Sequence, residues 1–340
     1  MESFFADEVQ DTVRKIKKLQ DDGCLCFQIV TDSHAIPLLE RQLLRQFRSF
    51  ENVLEVNRQA DIDAIFHLGD ILLINPDEDV RTYWTTEHVE EWFQIVKDNL
   101  YKANPNTYFI AGNHDDEFAQ EPRRDVWHRR MVAFQKEKIT GYVQDEPYYY
   151  IDFPRQRTRA VCLMSSFRDD EDVYYGIYED QLQWLAEDAL MVPDDWSILL
   201  FSHICIMRSD QTDPKDRLDE FAKLVGAFQE KSMYRCQTFS VDFSNIHGAE
   251  IVAMFVGHGH VDWIGKPGAD TLPFYIIETG SNLIHMPKPE TWSMPDGCFV
   301  AKRQFETVSE DLWDTVIYNP KKKTIDLVRF GAGEDRHIDL

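Results

Sequence analysis

The chain has 340 residues, of which 36 are Lys or Arg and 60 are Asp or Glu, and its formal net charge at pH 7 is −24. This length is enough to bury a sizeable core, so the fold needs no disulfide framework. The acidic balance argues against a nucleic-acid polymer as partner, because binding to a phosphate backbone needs clustered Lys and Arg.

The N-terminal stretch predicts an exposed amphipathic helix, because Val9, Val13, Ile16 and Leu19 recur at helical spacing. Acids near its start and the lack of an uninterrupted apolar core do not fit a secretory signal, and no later segment is long enough for a membrane span. The six cysteines lie mostly in apolar runs, which is typical of buried thiols in a reducing compartment. We therefore expect a cytoplasmic protein with no membrane partner.

Short β-rich runs alternate along the chain with segments of helical periodicity. The predicted buried strands are CLCFQIVTD, DAIFHLGD, NTYFIAGNHD, RAVCLMSSF, SILLFSHI, EIVAMFVGHGH and PFYIIETGS. The helical patterns are PLLERQLLRQFRSFENVLEVNRQ, TEHVEEWFQIVKDNLYKA and YEDQLQWLAEDAL. The tail adds the strand candidates CFVAKRQF, WDTVIYN and TIDLVRF, and we expect the polar ending GAGEDRHIDL to be a closing loop or a frayed end. Strands alternating with helices predict an α/β fold with helix-covered sheets.

The sequence shows no repeat period, low-complexity block or long Pro/Gly linker, which favours a single domain over residues 1–340. Residues 207–245, with a predicted helix over DRLDEFAKLVGAFQEK, are a possible insertion or lid. Residues 290–340 supply C-terminal strands that complete or flank the sheets.

The residues that can carry chemistry fall at the ends of predicted strands, where open α/β sheets place their ligands. In chain order they are Asp32-Ser33-His34, Gly69-Asp70, Gly112-Asn113-His114-Asp115, His203 and Gly257-His258-Gly259-His260. Each block alone is explained by a turn or by a structural histidine. Together they collect the carboxylate, imidazole and amide ligands that suit Mn, Fe or Zn ions. The set predicts a metal site built from several strand ends.

The ordered series D-x-H, GD, GNHD, H and GHxH resembles the calcineurin-like metallophosphoesterase family. The resemblance covers residues from about 32 to 260, and GIYEDQLQWLAEDALMVPDDWSILLFSHI is similar to the helix and strand that precede the family's lone histidine. The resemblance implies an α/β, four-layer αββα sandwich of two mixed β-sheets flanked by helices, with the metal site at the strand C-terminal ends.

The resemblance also implies a centre of two divalent metal ions and assigns its ligands. Asp32, His34 and His260 would hold the first ion, Asn113, His203 and His258 the second, and Asp70 would bridge both. His114 would face the leaving-group oxygen, where an imidazole donates a proton or stabilises charge. Two cations about 3.5–4 Å apart activate water and neutralise charge during in-line displacement. We expect Mn, with Fe, Zn, Ni or Co as alternatives.

The sequence departs from the patterns of two subgroups of the family, and these departures reduce the number of reactions to be expected. Protein Ser/Thr phosphatases of the family carry Asp and Arg soon after the bridging Asp, whereas four aliphatic residues follow Asp70 here. Purple acid phosphatases place a metal-binding Tyr where this chain has Leu73. We therefore expect a hydrolase acting on a small phosphodiester, with a phosphomonoesterase as the alternative. The alternative of another class is a non-catalytic metal-binding scaffold, which would have no need of His114.

No residue is assigned to substrate choice, but two segments are candidate pocket walls. VQDEPYYYIDFPRQRTR supplies tyrosines and arginines, although its tyrosines also fit an ordinary strand pair. SFRDDEDVYYGIYED supplies Arg168, Tyr174, Tyr175 and Tyr178. Aromatic rings stack on bases and arginines fork onto phosphates. His67, three residues before Asp70, is expected to be structural.

Overall fold

The computed structural model describes residues 5–35, 40–72, 86–116, 126–169, 172–206, 217–268, 272–282 and 297–340. In these ranges the helices are α1 (Ala6–Leu19), α2 (Glu40–Gln59), α3 (Thr86–Ala103), α4 (Val126–Ala133), α5 (Glu179–Trp184) and α6 (Leu218–Glu230). The strands are β1 (Leu25–Val30), β2 (Ala64–His67), β3 (Thr107–Phe109), β4 (Gly141–Tyr142), β5 (Tyr149–Phe153), β6 (Thr158–Cys162), β7 (Ser166–Asp169), β8 (Asp172–Tyr175), β9 (Ser197–Phe201), β10 (Met233–Arg235), β11 (Ser240–Asp242), β12 (Glu250–Val256), β13 (Trp263–Gly265), β14 (Tyr275–Glu278), β15 (Leu312–Asn319), β16 (Thr324–Gly331) and β17 (Arg336–Asp339).

The first large sheet has six strands in the order β17-β16-β15-β1-β2-β3. The strands β1, β2 and β3 are parallel. The C-terminal strands continue the sheet on the other side of β1: β15 pairs antiparallel with β1, β16 with β15, and β17 with β16. The expected loop or frayed end over GAGEDRHIDL is therefore wrong for residues 336–339, because β17 pairs with β16 and buries Ile338. The candidate strand CFVAKRQF is wrong as well, since only Phe299 forms a bridge there, to Asp262.

The second large sheet has seven strands in the order β13-β14-β12-β9-β6-β5-β4. Its central strands β6, β9, β12 and β14 are parallel, whereas the strands at both edges are antiparallel. Two small two-stranded sheets, β7–β8 and β10–β11, stand apart from it. Both large sheets are thus mixed, as predicted.

The described residues form three apolar cores. One lies between the two sheets, which pack face to face, and each of the other two lies between a sheet and the helices on its outer face. Side chains alternate along a strand, so Phe27 of β1 lies between the sheets while its neighbour Cys26 lies in the core beneath the helices. Between the sheets, Phe27 meets Phe255 edge to face at 5.4 Å, and Phe66 stacks on Phe201 at 4.1 Å. These aromatic contacts across the interface fix the two sheets against each other.

Helices cover the outer face of each sheet. The N-terminal helix is confirmed, and its apolar face is not exposed: Val9 and Ile16 are fully buried in the core that α2 and α3 share with the first sheet. On the other side, Phe221 and Phe228 of α6 are fully buried with α5 against the second sheet. The predicted αββα sandwich is confirmed. Residues 207–216 of the possible insertion or lid lie outside the described residues.

The topology brings the ends of several strands to one edge. The strands β1, β2 and β3 are parallel neighbours in one sheet, and β9 and β12 are parallel neighbours in the other. The chemistry-bearing blocks follow these five strands directly. All six cysteines are free thiols. No described helix has the length and apolar character needed to cross a membrane.

Candidate metal centre

Two groups of three side chains converge beyond the carboxyl ends of these strands. The first trio is Asp32, His34 and His260, and the second trio is Asp70, His203 and His258. In each trio, one ligand atom of every residue lies within 4.8 Å of the other two. Residues separated by more than 200 positions thus meet in one site, because the two sheets present the same edge.

The two trios adjoin through their carboxylates. Oδ2 of Asp70 lies 3.1 Å from Nε2 of His203 and 3.7 Å from Nε2 of His34 in the first trio. Oδ1 of Asp32 lies 3.1 Å from Nε2 of His260 and 4.0 Å from Nε2 of His203 in the second trio. Each aspartate therefore directs one oxygen toward both trios.

The second oxygen of each aspartate is held by donors outside the cluster of ring nitrogens. Oδ2 of Asp32 accepts hydrogen bonds from the Thr31 hydroxyl at 2.7 Å and from the His258 backbone N–H at 3.1 Å. Oδ1 of Asp70 accepts one from the His114 backbone N–H at 2.9 Å. These bonds orient the carboxylates and leave one oxygen of each for the centre.

The remaining predicted site residues lie beside the trios. Oδ1 of Asn113 is 3.2 Å from Nε2 of His203, so this amide oxygen joins the second trio. The ring of His114 lies 5.3 Å from the ring of His34, beside the first trio. The structure thus brings together all eight residues that the sequence singled out.

His203 has a defined tautomer. Its Nδ1–H donates to the carbonyl oxygen of Leu68 at 2.8 Å, which directs Nε2 into the centre. Burial alone lowers the pKa of His203, but the carboxylates of Asp70 and Asp32 raise it to about 9. The carboxylates beside Nε2 thus favour positive charge at this position, which is the charge that a bound cation would supply.

The buried carboxylates require compensating positive charge. Asp32 and Asp70 are at most 1 % exposed. Burial opposes their ionisation, yet the histidines around them hold the pKa of both carboxyl groups below the usual range. Ionised carboxylates in a dry site are costly unless they are paired or bind metal. The oxygen and nitrogen donors of both trios, which include no thiolate, fit divalent Mn, Fe or Zn.

The backbone at the site is unusual. The structure describes twelve non-glycine residues with positive φ, and five of them belong to the trios, with φ between 41° and 71°. They are Asp32, His34, Asp70, His258 and His260. Left-handed backbone is uncommon for residues other than glycine. Asp and His adopt it more readily than most residues, but five such residues in one site are typical of a functional region.

Two glycines of the motif blocks are required by close approach. A Cβ at Gly257 would lie 2.1 Å from Oγ1 of Thr31 and 2.6 Å from Oδ2 of Asp32. A Cβ at Gly112 would lie 2.1 Å from Oδ1 of Asp70. Any side chain at either position would displace a carboxylate of the site.

Asp115 has a role that the sequence reasoning missed. Its carboxylate accepts hydrogen bonds from the backbone N–H groups of Ile71 (2.9 Å), Leu72 (3.2 Å) and Gly112 (2.8 Å). It therefore ties the loop after β2 to the loop after β3. The only sign of this role in the sequence is the position of Asp115 inside the GNHD block.

His67 is structural, as expected, and its contacts join two metal-site loops. Its Nδ1 accepts the Gly69 N–H at 3.3 Å, so its Nε2–H donates to Oγ of Ser33 at 2.8 Å. Burial lowers the pKa of His67 to about 3, which keeps the ring neutral as this bonding pattern requires. The bond reaches Ser33, between Asp32 and His34.

Of the two segments predicted as pocket walls, one has a described residue beside the trios, whereas in the other the buried arginine lies away from them. Tyr175 at the end of β8 is 44 % exposed, and its ring lies 6.0 Å from the ring of His258. The side chains of Arg168 and Tyr174 lie outside the described residues. In the other segment Arg159 is buried and paired with Asp152, near the amino end of β6 and away from the trios. Arg159 therefore does not line the site.

Comparison with known proteins adds independent findings. A family model described as calcineurin-like phosphoesterase matches residues 27–262, more than half of the chain. A dimetal phosphatase from Danio rerio is similar in structure over 94% of this chain and 99% of its own, with a TM-score of 0.58 and 15% identity. A purple acid phosphatase from yellow lupin (Lupinus luteus) seeds is similar over 94% of this chain and 54% of its own, with a TM-score of 0.54 and 12% identity. No curated protein sequence matches. The two structural similarities show a shared fold, and the family match contains every residue of both trios.

Proposed function

The chain belongs to the calcineurin-like phosphoesterase family, and on this premise we propose that it is a metal-dependent phosphodiesterase acting on a small substrate. Hydrolysis of a phosphoester bond follows from the family. The preference for a small diester is our proposal. The observation that carries metal-dependent hydrolysis is the pair of adjoining trios, in which one oxygen of Asp70 faces His34 and His203.

We assign the metal ligands from this arrangement. The proposed ligands are Asp32, His34 and His260 for the first ion, Asn113, His203 and His258 for the second, and Asp70 for both. The grouping of donor atoms within 4.8 Å supports the two sets. The oxygen of Asp70 between His34 and His203 supports the bridging role.

The chemistry divides between the ions and the protein. Bound divalent ions supply positive charge to the phosphate oxygens and lower the pKa of water. We assign His114 the transfer of a proton to the leaving-group oxygen, a role that imidazoles commonly fill. Its backbone bond to Asp70 and its position beside His34 support this role. These contacts hold the ring next to the proposed metal ligands, while His114 itself belongs to neither trio.

We propose Mn²⁺ as the working metal. Imidazole, carboxylate and amide donors accept Mn²⁺ readily, but they also bind Fe, Zn, Ni and Co, so availability takes part in the choice. No cysteine belongs to either trio, and thiolates are the ligands that most strongly favour Zn.

The charge of the centre supports a diester. Among the described residues, Asp32 and Asp70 form ion pairs with histidines, and no lysine or arginine pairs with either. A diester carries one negative charge at neutral pH, whereas a phosphate monoester carries about −1.5 to −2. Among these contacts, the ions alone would supply positive charge to the substrate, and a singly charged diester needs no further cation.

Tyr175 supports a substrate with an aromatic group. The ring is partly exposed and lies 6.0 Å from the ring of His258, a proposed ligand of the second ion. A tyrosine in such a position offers a flat apolar face to an ester group of the bound phosphodiester. We propose that Tyr175 contacts the ester group that is not cleaved.

We propose a cytoplasmic setting, a single domain over residues 1–340 and no nucleic-acid or membrane partner. The six free thiols support a reducing compartment. The net charge of −24 opposes binding to long polyanions.

Hydrolysis of bis(p-nitrophenyl) phosphate and of p-nitrophenyl phosphate by chelator-treated protein, with and without added Mn²⁺, tests the proposal. We expect Mn²⁺-dependent turnover with the higher kcat/KM on the diester. A higher kcat/KM on the monoester would make the protein a phosphomonoesterase. No turnover of either ester with any divalent metal would support the scaffold.

A further inference from the structure

We propose that Arg329, on β16, is a positioning residue for the metal ligands His258 and His260. It acts through Asp262, which lies two residues after His260. This inference rests on the proposed function, because it takes both histidines as metal ligands. Arg329 lies outside the segment 27–262 that matches the family.

The contact between Arg329 and Asp262 is a buried, two-pronged ion pair. Nη1 of Arg329 donates to Oδ2 of Asp262 at 2.9 Å, and Nη2 donates to Oδ1 at 2.7 Å. The two side chains are only 2 % and 8 % exposed. A paired guanidinium and carboxylate in this geometry fix position as well as charge.

The rest of the guanidinium is also fully engaged. Nε and Nη2 of Arg329 donate to the two oxygens of Asp314 at 2.8 and 3.1 Å, and Nη1 donates to the carbonyl of Ala332 at 2.7 Å. All five N–H groups of the side chain thus have acceptors. A lysine has three donors on one nitrogen and cannot reproduce this arrangement.

The network is balanced in charge and anchored in both sheets. Arg336 of β17 also pairs with Asp314, so two arginines face two aspartates. Asp314 accepts the Thr279 hydroxyl at 2.8 Å, and Arg336 donates to the backbone carbonyl of Glu278 at 2.9 Å. The network thereby joins β15, β16 and β17 of the first sheet to the carboxyl end of β14 in the second sheet and to the residue after it.

The network is attached to the loop that carries His258 and His260, which we call the ligand loop. His258 and His260 have φ values of 71° and 57°, a left-handed conformation that is uncommon outside glycine and that contacts around the loop stabilise. Asp262 holds the chain just beyond them through Arg329, through its backbone pairing with Phe299, and by accepting the Gly280 N–H. Loss of Arg329 would leave Asp262 and Asp314 buried with fewer partners, which is strongly unfavourable. The loop would then relax, and the histidines would leave their ligand positions.

Arg159 provides a matched control. It is also buried, and it also pairs with an aspartate through two bonds, Nε to Oδ1 of Asp152 at 2.7 Å and Nη2 to Oδ2 at 3.0 Å. It lies near the amino end of β6, whereas the trios lie beyond the carboxyl ends of the strands. Arg159→Lys therefore disturbs a similar ion pair without touching a ligand loop.

The test is Mn²⁺ binding by the chelator-treated full chain, followed by the electron paramagnetic resonance signal of free Mn²⁺, with thermal unfolding measured without metal. We expect Arg329→Lys to weaken Mn²⁺ binding about 10–100-fold, the usual cost of losing an outer partner of a metal site. Arg159→Lys should change binding by less than about twofold, since distant sites act independently. Both variants should unfold at lower temperature than wild type.

Equal Mn²⁺ affinity in Arg329→Lys and Arg159→Lys would overturn the inference. If Arg329→Lys fails to fold, Asp262→Asn replaces it, because this variant keeps the side-chain shape while weakening the ion pair, and it should weaken binding in the same direction. Unchanged binding in Asp262→Asn would then overturn the inference. Failure of the proposed function has different results. If the trios hold no Mn²⁺, wild-type protein would itself bind none, and if the protein is a phosphomonoesterase or a scaffold, the ester assays would show it while the comparison of Mn²⁺ binding would stand.

Discussion

The backbone N–H of His114 donates a 2.9 Å hydrogen bond to Oδ1 of Asp70. The bond joins the loop after β3 to the loop after β2 and orients the carboxylate, so that Oδ2 of Asp70 faces both trios. Since this is a main-chain donor, the orientation of Asp70 does not depend on the His114 imidazole. The proposed bridging role of Asp70 and the proposed proton-transfer role of His114 can therefore be separated by mutation.

Asp70→Ala should lose both metal ions. A carboxylate that serves two ions removes a ligand from each when it is deleted, and hydrolysis should fall by more than about 100-fold, the upper cost of losing even an outer partner. Elemental analysis after dialysis measures the occupancy. Asp63→Ala is the control, because Asp63 immediately precedes the same strand at its amino end and accepts the Cys26 N–H. Full occupancy in Asp70→Ala would contradict the bridging role.

His114→Ala should keep both metal ions and lose rate. The variant retains the backbone N–H that orients Asp70, while the proton donor is gone, so kcat should fall by about 10²–10⁴-fold. Parallel metal analysis and steady-state kinetics check this. Metal loss in His114→Ala as large as in Asp70→Ala would instead make His114 a ligand or a purely structural residue.

Tyr175→Ala should weaken recognition of an aromatic ester group. Two diesters with the same leaving group separate this effect from chemistry: bis(p-nitrophenyl) phosphate and methyl p-nitrophenyl phosphate. We expect kcat/KM to fall by about 5–20-fold on the first ester, the equivalent of a stacking contact of ~1–2 kcal/mol, and to change little on the second. Tyr175→Phe should resemble wild type. An equal loss on both esters would argue against contact with the ring that is not cleaved.

The residues alone predicted helix-covered sheets and a metal site at strand ends, and the resemblance to the family implied the sandwich and the assignment of the ligands. The candidate ligands could be found because each proposed role demands a particular residue type at a strand end, as with Asp32 after β1 and His203 after β9. The strands themselves appear as short apolar runs, since parallel strands are buried on both faces. Both features depend on local sequence, so they can be read without knowing the tertiary contacts.

The supporting contacts could not be found in this way. Arg329 lies in TIDLVRF, where it looks like an ordinary basic residue at a strand end, and its partner Asp262 is 67 positions away. The ending RHID looked like a polar tail, because β17 buries a single apolar residue, Ile338, and gains its place by pairing with β16. The contact of Arg329 with Asp262 and the pairing of β17 with β16 depend on which strands, distant in sequence, become neighbours. The topology of the fold determines these neighbours.

Asp311 should make stability depend on pH outside the metal centre. Burial raises the pKa of its carboxyl group from 3.8 to about 7, although Asn52 donates a hydrogen bond to it at 2.7 Å. The folded state then binds the proton more tightly than the unfolded state, so stability falls as pH rises from about 4 to 7 and levels off above that range. Asp311→Asn should reduce this fall by up to about 4 kcal/mol.

Thermal unfolding of wild type and Asp311→Asn between pH 4 and pH 8, without metal, checks this prediction. The variant keeps an oxygen for the Asn52 amide, so its gain in relative stability at the higher pH reports the missing ionisation. Parallel pH dependence in the two proteins would show that Asp311 is not the responsible group.

The most direct test of the central claim is one titration of chelator-treated protein with Mn²⁺, in which bound metal and hydrolysis of bis(p-nitrophenyl) phosphate are measured on the same samples. Adjoining trios that act as a dinuclear centre predict two bound ions per chain and full activity only as the second ion binds. Full activity at one ion per chain, or two bound ions without hydrolysis, would contradict the account.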